Sequence, residues 1–340
     1  MTSMYLKQLI EGHRPEMKEA YEIMNSVLSG AVSASLLSSL LTAMRMRGET
    51  PEEIAGFALA MRSNSRQFTY SGGPLVDLCG TGGDNSSTVN ISTIASFIVA
   101  GTGIKVAKHG NRAVSGKCGS ADILEELGCS IDLDDEQITE CLNKSGFAFF
   151  FAPNFHTAMK HAAPVRRELG FRTVFNMLGP LTNPAGVKRQ MTGTFTDEAA
   201  RSLARAAALL DYEKIALLCT ENSVDELLPG KEALVITVEG KKIREQIITP
   251  DYPSLSKKNP EGLYAATKEE SKRAFLEVID EAKESYTFSA AVINAAMTLT
   301  TARDSGSMDQ AIEECIYALR SGDAYRAFQN YLKLSKIPVS

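Results

Sequence analysis

Two glycine-rich polar turns, each beginning at the end of a short apolar run, constrain the fold more than any other feature of this sequence. The first turn is DLCGTGGD (77–84), which overlaps the apolar run 75–78, and the second is KHGNR (108–112), which follows 104–107. Short apolar runs of this kind are typical of buried parallel strands. Glycine lacks a Cβ, so the backbone of such a turn can press closely against a ligand. The pattern therefore predicts an α/β fold with ligand-binding turns at its strand ends.

The chemistry of the turns favours a phosphorylated ligand. Successive backbone N–H groups in a glycine turn form an anion-binding concavity, and a following helix N-terminus strengthens it. Ser92 and Thr93 precede the apolar run 94–100, so either residue is a candidate cap for that helix. Lys108 adds a positive charge and Asp84 a carboxylate. These groups together are what a phosphate and its magnesium ion require.

The common glycine-loop motifs do not fit this segment. A nucleotide triphosphate loop needs Lys-Ser or Lys-Thr after its last glycine, whereas Asp84 follows Gly83 here. The dinucleotide pattern needs a sixth-position glycine, and that position, counted from Gly80, is Asn85. Neither a P-loop NTPase nor a Rossmann dehydrogenase is indicated.

The rest of the chain divides into helical and α/β patterns. Residues 1–70 form a small helical unit, with a helix over 33–47 and another starting at the Thr-Pro-Glu-Glu of 50–53. From residue 75 onward, apolar runs alternate with helical patterns, which predicts a mostly parallel sheet. From about residue 267 the pattern is helical to the end. The candidate strands are 75–78, 104–107, 147–151, 214–219 and 233–239, with an antiparallel hairpin over 235–248.

Composition excludes several classes of protein. The 340 residues carry a net charge of −5 without clustered basic residues, which argues against a nucleic-acid surface. No apolar stretch approaches the roughly 18–20 residues that span a bilayer, and the N-terminus has no signal-peptide core, so we expect a cytoplasmic protein. The cysteines show no Cys-x-x-Cys spacing and are expected to be buried thiols. They lie at positions 79, 118, 129, 141, 219 and 315.

The sequence resembles the anthranilate phosphoribosyltransferases of tryptophan biosynthesis over nearly its whole length. The resemblance rests on ordered signatures rather than on composition. They are GTGGD (80–84), NIST (90–93), KHGNR (108–112), SGKCGSAD (115–122), FAP (151–153), HT (156–157), HAAPVR (161–166) and RTVFNMLGPL (172–181).

The resemblance implies a small helical domain beside a large α/β domain with a mostly parallel central sheet, of the nucleoside phosphorylase/phosphoribosyltransferase type. The helical domain would comprise 1–72 with an excursion near 165–185, and the α/β domain 73–164 and 186–340. The implied reaction transfers the 5-phosphoribosyl group of 5-phosphoribosyl 1-pyrophosphate to the amine of anthranilate and releases pyrophosphate. It further implies magnesium, two ions per active site, and a homodimer, with no nucleic-acid or membrane partner.

The same resemblance assigns roles residue by residue. Ser92 would be both a phosphate contact and a magnesium ligand, and Asp225 and Glu226 would hold a second magnesium. The implied donor-binding residues are Gly80, Thr81, Gly82, Gly83, Asp84, Asn90, Ser92, Thr93, Lys108 and Ser120. The implied acceptor-binding residues are Asn111, His109, His156, Arg166 and Gly179.

Arg166 is the candidate for the carboxylate of anthranilate, because a guanidinium fork makes two parallel charge-assisted bonds to a carboxylate. Three other functions remain open. A pyrimidine nucleoside phosphorylase has the same fold but other glycine-loop signatures, and a phosphoribosyltransferase could use another aromatic acceptor. A non-catalytic ligand-binding or nucleic-acid-binding homologue would be expected to lack Lys108, Asp225 or Glu226, and all three are present.

Overall fold

The N-terminal part of the chain is a bundle of four helices. The computed structural model describes residues 2–82, 88–113 and 118–336. The four helices are α1 (Thr2–Ile10), α2 (Met17–Leu28), α3 (Ala34–Arg47) and α4 (Pro51–Ser63). The predicted start of α4 is confirmed, because the Thr50 hydroxyl accepts from the Glu53 N–H at 3.2 Å and the Glu53 carboxylate accepts from the Thr50 N–H at 2.8 Å. This reciprocal pair satisfies two N-terminal amides of the helix.

The apolar stripe of α3 packs inside the chain. Its buried members are Leu37, Leu40, Leu41 and Met44. They share a cluster of buried side chains with α2, α4 and the segment 162–181. The stripe is therefore explained by the core of a single chain.

A seven-stranded sheet forms the centre of the rest of the molecule. The strands are β1 (Val76–Gly80), β2 (Val106–Gly110), β3 (Phe147–Phe151), β4 (Arg189–Gly193), β5 (Lys214–Thr220), β6 (Ala233–Glu239) and β7 (Lys242–Ile248). Their order is β3-β2-β1-β4-β5-β6-β7, parallel as far as β5 and antiparallel for the last two pairs. The predicted parallel strands and the predicted hairpin are confirmed, with shifts of one to three residues at some ends.

Strand β4 was not among the candidate strands. Met191 is the only apolar residue in its sequence RQMTG, so no apolar run marks the strand. Its polar side chains are nevertheless buried, because the Gln190 amide donates to the Pro180 carbonyl and the Thr192 hydroxyl, both at 2.7 Å. A buried strand whose polar groups are satisfied by tertiary partners is invisible to a hydrophobicity pattern.

Helices cover both faces of the sheet. Two of them, α8 and α10, are single turns of four residues, and the others run for seven residues or more. They are α5 (Ile91–Gly101), α6 (Ser120–Glu126), α7 (Asp135–Lys144), α8 (Ala152–Phe155), α9 (Ala163–Leu169), α10 (Phe175–Leu178), α11 (Asp197–Ala207), α12 (Lys268–Ile279), α13 (Tyr286–Ala302), α14 (Met308–Arg320) and α15 (Asp323–Leu334). Short 3₁₀ turns occupy Thr157–His161, Gly179–Thr182 and Pro260–Leu263. Among the described residues, no helix has the length and apolar character needed to cross a membrane.

Two clusters of buried side chains lie on opposite faces of the sheet. On β5, Ala216 and Leu218 belong to the cluster beneath α5 and α12–α15, whereas Ile215 and Leu217 belong to the cluster with the N-terminal helices and α11. Successive strand residues point to opposite faces, so a strand buried on both sides reads as a continuous apolar run. The fold is thus a small helical domain beside a larger α/β domain, as predicted. The exact residue boundaries between the two stay a prediction.

The cysteines are free thiols in the described part of the chain. Five of them are buried, and Cys118 is half-buried. The expectation of small buried thiols is confirmed for those five.

Candidate active site

The sheet topology marks one crevice as a binding site. Strand order reverses between β1 and β4, since the chain runs outward from β1 to β2 and β3 and then returns to pair β4 with β1. Ligands of parallel α/β sheets bind at such switch points, beyond the carboxyl ends of the strands. Gly80 ends β1 and Gly193 ends β4, and the Thr81 N–H donates to the Gly193 carbonyl at 2.9 Å. The first glycine turn therefore lies at the switch point.

Two glycines at this point leave room for one acidic residue. A Cβ at Gly80 would overlap the Asp225 carboxylate, and a Cβ at Gly193 would overlap the Asp225 backbone carbonyl. Asp225 thus packs directly against the ends of both central strands, although it lies in the segment after β5. The sequence signalled Gly80 but not Gly193, whose importance depends on a contact distant in sequence.

The acidic pair contacts both elements that were predicted to bind phosphate. Asp225 Oδ2 accepts from the Gly82 N–H at 3.3 Å, and Glu226 Oε1 accepts from the Ser92 N–H at 3.0 Å. Gly82 has a φ of +63°, a left-handed conformation that favours glycine. A carboxylate on the first-turn amide of α5 is favourable because the helix N-terminus carries a partial positive charge. The structure therefore brings the glycine turn, the start of α5 and the acidic pair together.

The predicted capping of α5 is wrong. The residue before the first helical residue is Asn90, and its side chain makes no capping bond. Ser92 and Thr93 lie inside the first turn, so neither side chain occupies the capping position. The Ser92 N–H is satisfied instead by Glu226, a residue more than a hundred positions away. Asn90 Nδ2 donates to the Cys118 carbonyl at 2.8 Å and so ties α5 to the start of α6.

Lys108 lies beneath this site rather than in it. Its side chain is 1% exposed, and its ammonium donates to the Leu78 carbonyl at 2.6 Å and the Ser92 hydroxyl at 3.1 Å. Burial lowers the pKa of Lys108, and the nearby carboxylate of Asp77 opposes that shift. In this structure Lys108 therefore orients the Ser92 hydroxyl and lies below the first glycine turn.

Asp77 and Asn183 complete a buried polar group that the sequence analysis missed. Asp77 accepts from the His109 N–H at 3.2 Å and from Asn183 Nδ2 at 2.8 Å. Burial raises the pKa of Asp77 to about 6, against the attraction of Lys108 and these hydrogen bonds. A carboxylate inside an apolar strand was the available signal, because buried acids require partners. Asn183 offered no comparable signal, since its role depends on the strands that it bridges.

The remaining donor-side residues surround the same crevice. The Thr81 and Thr93 hydroxyls are buried and have no hydrogen-bond partner within the described ranges. Buried polar atoms are rarely left unsatisfied, so such hydroxyls are available to a ligand or to water. Ser120 Oγ donates to the Asn111 carbonyl at 3.4 Å and occupies the space that a Cβ at Gly110 would need. Gly83 and Asp84 lie outside the described residues.

Two histidines that were predicted to bind the acceptor are buried next to each other. The rings of His109 and His156 lie 5.2 Å apart. Burial lowers the pKa of His109 to about 3, helped by His156, and burial lowers the pKa of His156 to about 4. Both imidazoles are therefore neutral near pH 7. Their Nε2 atoms have no hydrogen-bond partner among the residues that the structure describes.

Arg166 projects from α9 and lies over the ring of Phe175, with its guanidinium carbon 5.0 Å from the ring centroid. The side chain is half-buried and makes no ion pair with any carboxylate in the described ranges. Burial lowers the pKa of Arg166. A half-buried guanidinium without a carboxylate partner is suited to a ligand carboxylate. The neighbouring Arg167 is exposed.

The ring of Phe175 contacts Arg166, and the segment just after Phe175 contacts the histidines. His109 makes a hydrogen bond with the backbone of Gly179, which lies just after α10. A Cβ at Gly179 would meet nothing within 4 Å, so open space borders this residue. Asn111 is exposed at the end of β2, and its side chain accepts from the Arg112 N–H at 2.8 Å. The structure thus links His109, His156 and Gly179 closely, and it leaves Asn111 at the rim.

The residues present suit magnesium bound together with a phosphorylated ligand. No group of three or more His, Cys, Asp or Glu side chains that could hold a metal is found in residues 2–82, 88–113 and 118–336. Mg²⁺ typically takes one or two protein carboxylates and completes its shell with phosphate oxygens and water. The adjacent Asp225 and Glu226 carboxylates, the second of which bonds to the Ser92 backbone, match that incomplete set of oxygen ligands.

Comparisons with known proteins agree with this architecture. The chain matches the model of the glycosyl transferase family, a/b domain, over residues 72–325 and that of the glycosyl transferase family, helical bundle domain, over 3–65. It is 38% identical to the anthranilate phosphoribosyltransferase of Rubrobacter xylanophilus over 97% of this chain and 96% of that one. It is 39% identical to the same enzyme of Pelotomaculum thermopropionicum over 93% and 92% of the two chains.

Solved structures show the same relationship. The crystal structure of anthranilate phosphoribosyltransferase from Thermus thermophilus superposes with a TM-score of 0.90 at 37% identity, over 98% of this chain and 99% of that chain. The Saccharomyces cerevisiae enzyme in complex with PRPP and Mg has a TM-score of 0.87 at 24% identity, over 98% and 97% of the two chains, a likeness that bears on the fold. On sequence identity over nearly full length and on fold, the chain belongs to the anthranilate phosphoribosyltransferase family.

Proposed function

We propose that this protein transfers the 5-phosphoribosyl group from 5-phosphoribosyl 1-pyrophosphate (the donor) to the amine of anthranilate, releasing pyrophosphate, as a step of tryptophan biosynthesis. The observation that carries the proposal is the position of the acidic pair. Asp225 reaches the glycine turn at Gly82 and Glu226 reaches the start of α5 at Ser92. A site that gathers backbone amides, a helix N-terminus and two carboxylates is equipped for a pyrophosphate together with its cations.

The donor side neutralises the leaving group. We assign the backbone of 80–83 and the first turn of α5 to the pyrophosphate, and Asp84 to the ribose or the metal-bound phosphate. Further contacts come from hydroxyl and amide groups around the crevice. They are supplied by Thr81, Asn90, Ser92, Thr93 and Ser120. Lys108 acts indirectly, because its ammonium donates to the Ser92 hydroxyl at 3.1 Å and so orients it.

Magnesium completes the donor side. We assign Ser92 to one ion and Asp225 with Glu226 to a second, and bound magnesium supplies charge neutralisation of the pyrophosphate oxygens. In the structure the Gly82 N–H donates to the Asp225 carboxylate and the Ser92 N–H donates to the Glu226 carboxylate. Because these two N–H groups already bond to carboxylates, a pyrophosphate at the same position would compete with Asp225 and Glu226 for them.

The acceptor side positions the nucleophile. Arg166 binds the carboxylate of anthranilate, while His109 and His156 accept hydrogen bonds on their neutral rings and Asn111 and Gly179 border the ring. The amine nitrogen then forms its bond to the anomeric carbon as the bond to pyrophosphate breaks, and the nitrogen loses a proton. An aryl amine needs no strong base for that loss. Positioning alone contributes up to about 7–11 kcal/mol in favourable cases.

The decisive experiment follows anthranilate consumption by fluorescence with the donor and magnesium. Wild-type turnover that is lost in Arg166→Ala and retained in Arg167→Ala supports both the reaction and the acceptor contact. The Arg167 control is matched, because it removes an adjacent but exposed guanidinium of the same helix. No turnover with anthranilate, but magnesium-dependent donor binding, would instead indicate a different aromatic acceptor. No donor binding at all would refute the proposal.

A homodimer remains part of the proposal. The apolar stripe of α3 does not support it, because that stripe is buried within one chain. Large apolar side chains that stay exposed include Ile10 and Met46, at 73% and 84%. Sedimentation equilibrium measures the oligomeric state directly, and a monomer at micromolar concentration would contradict the expectation.

A further inference from the structure

One peptide group in the site is held by two side chains from elsewhere in the fold. The peptide between Glu226 and Leu227 has its carbonyl bonded by the Thr220 hydroxyl at 2.6 Å and its N–H bonded to Asn294 Oδ1 at 3.0 Å. Thr220 is the last residue of β5, and Asn294 lies in the middle of α13. Both polar atoms of this peptide are therefore fixed by the strand on one side and by the helix on the other.

Asn294 directs most of its hydrogen bonds to this segment. The residue is fully buried, and its Nδ2 donates to the Leu227 carbonyl at 2.9 Å and to the Ala290 carbonyl at 2.8 Å. A buried amide in a helix interior is costly unless its hydrogen bonds are made. Two of its three bonds go to Leu227, the residue after the acidic pair. Thr220 is fully buried as well, and its hydroxyl serves Glu226 rather than solvent.

The segment that carries the acidic pair needs such restraint. Between Thr220 and the pair, Glu221 and Asn222 have φ values of +47° and +52°. Left-handed backbone at non-glycine residues costs on the order of 1 kcal/mol or more each, and it persists only where the surroundings hold it. The direction of the Glu226 side chain toward the Ser92 N–H depends on the orientation of the peptide that Thr220 and Asn294 hold.

We propose that Thr220 and Asn294 are positioning residues that orient the Glu226 carboxylate and thereby set the magnesium affinity of the donor site. This inference rests on the proposed function, since it takes Asp225 and Glu226 to be metal ligands. Residues that orient metal ligands commonly change metal affinity about 10–100-fold when mutated. Neither side chain contacts the substrates in this assignment, so anthranilate affinity should be unaffected.

The test compares near-isosteric variants. Thr220→Val removes the hydroxyl, Thr220→Ser keeps it, and Thr301→Val is the control. Thr301 lies on α13, is 2% exposed, and bonds only within its helix, to the Met297 carbonyl at 2.8 Å, as far as the described residues show. Donor binding is measured by calorimetry over a magnesium series, and the melting temperature is measured in parallel without magnesium.

We expect Thr220→Val to raise the half-saturating magnesium concentration about tenfold, and Thr220→Ser to stay within about twofold of wild type. Asn294→Leu should shift it in the same direction, and the double variant should add little, because both side chains hold one peptide. Thr301→Val should leave the magnesium requirement unchanged even where it lowers the melting temperature.

A Thr220→Val variant with the wild-type magnesium requirement, or a shift equalled by Thr301→Val, would overturn the positioning role. Additive effects in the double variant would also contradict it. If wild-type protein fails to bind the donor with magnesium, the proposed function itself is wrong, and the inference falls with it. The two failures are therefore distinguishable.

Discussion

The buried histidine pair makes a quantitative prediction about stability and pH. Folding lowers the pKa of His109 to about 3 and that of His156 to about 4, from an ordinary value of 6.5. A group whose pKa is depressed by folding contributes stability above its unfolded pKa and loses it as the pH falls. Each pKa unit corresponds to about 1.4 kcal/mol. On lowering the pH to about 5, each ring therefore costs about 2 kcal/mol of unfolding free energy, and the pair about 4 kcal/mol.

Asp77 acts in the opposite direction. Burial raises its pKa from 3.8 to about 6, so its contribution is favourable below 3.8 and is lost as the pH rises through about 6. Lowering the pH to about 5 therefore raises the free energy of unfolding by about 1 kcal/mol through Asp77. Because this contribution is common to wild type and histidine variants, it cancels when the two are compared.

The assay is urea unfolding at about pH 8 and about pH 5 for wild type, His109→Gln and His156→Gln. Glutamine keeps a hydrogen-bonding amide but does not titrate in this range. The unfolding free energy of wild type falls between about pH 8 and about pH 5. We expect this fall to be about 2 kcal/mol smaller in each variant. His161→Gln, which changes an exposed histidine, is the control for replacing a histidine away from the buried pair. A pH dependence that is identical in wild type and both buried-site variants would refute the reasoning.

Four further predictions concern the site directly. Arg166→Lys should raise the anthranilate KM about tenfold or more while the donor KM changes little. The reason is that lysine keeps the positive charge but lacks the two-pronged guanidinium. Equal changes of both KM values in steady-state kinetics would contradict the acceptor role. Asp225→Asn combined with Glu226→Gln should raise the magnesium requirement in a metal titration, and an unchanged requirement would refute the metal assignment. Gly193→Ala should destabilise the fold by about 1–3 kcal/mol, since its Cβ would meet a backbone carbonyl. Gly80→Ala should displace only a carboxylate and therefore raise the magnesium requirement with a smaller loss in melting temperature; equal losses would argue against this distinction.

Much of the fold could be predicted from local patterns. Apolar runs at or beside β1, β2, β3, β5 and β6 marked these strands, because strands buried on both faces carry apolar residues on both. The helix starting at Pro51 was evident from its reciprocal caps. β4 was not evident, since Gln190 and Thr192 are buried through hydrogen bonds to each other and to Pro180. Such satisfaction depends on residues that only the folded chain brings together.

Some residues of the candidate site could likewise be predicted from the sequence, and others could not. The sequence indicated four candidate site residues, Gly80, Gly82, Ser92 and Lys108, because turn chemistry is local in sequence. The assignment of a cap to Ser92 or Thr93 failed, because the amide at the start of α5 is satisfied by Glu226 across the sheet. The roles of Arg166 and the acidic pair came from family resemblance rather than from pattern.

By itself the sequence determined the helical and α/β regions, the positions of the two glycine turns, and the family. Those properties follow from periodicity, from glycine's freedom and from residue types at fixed spacing. Only the tertiary structure decided that Asp225 fills the space left by Gly80 and Gly193, and that Thr220 and Asn294 hold the adjacent peptide. It also decided that His109 and His156 are neutral. Each of these depends on burial and on contacts between distant segments, which exist only once the sheet has brought its strand ends together.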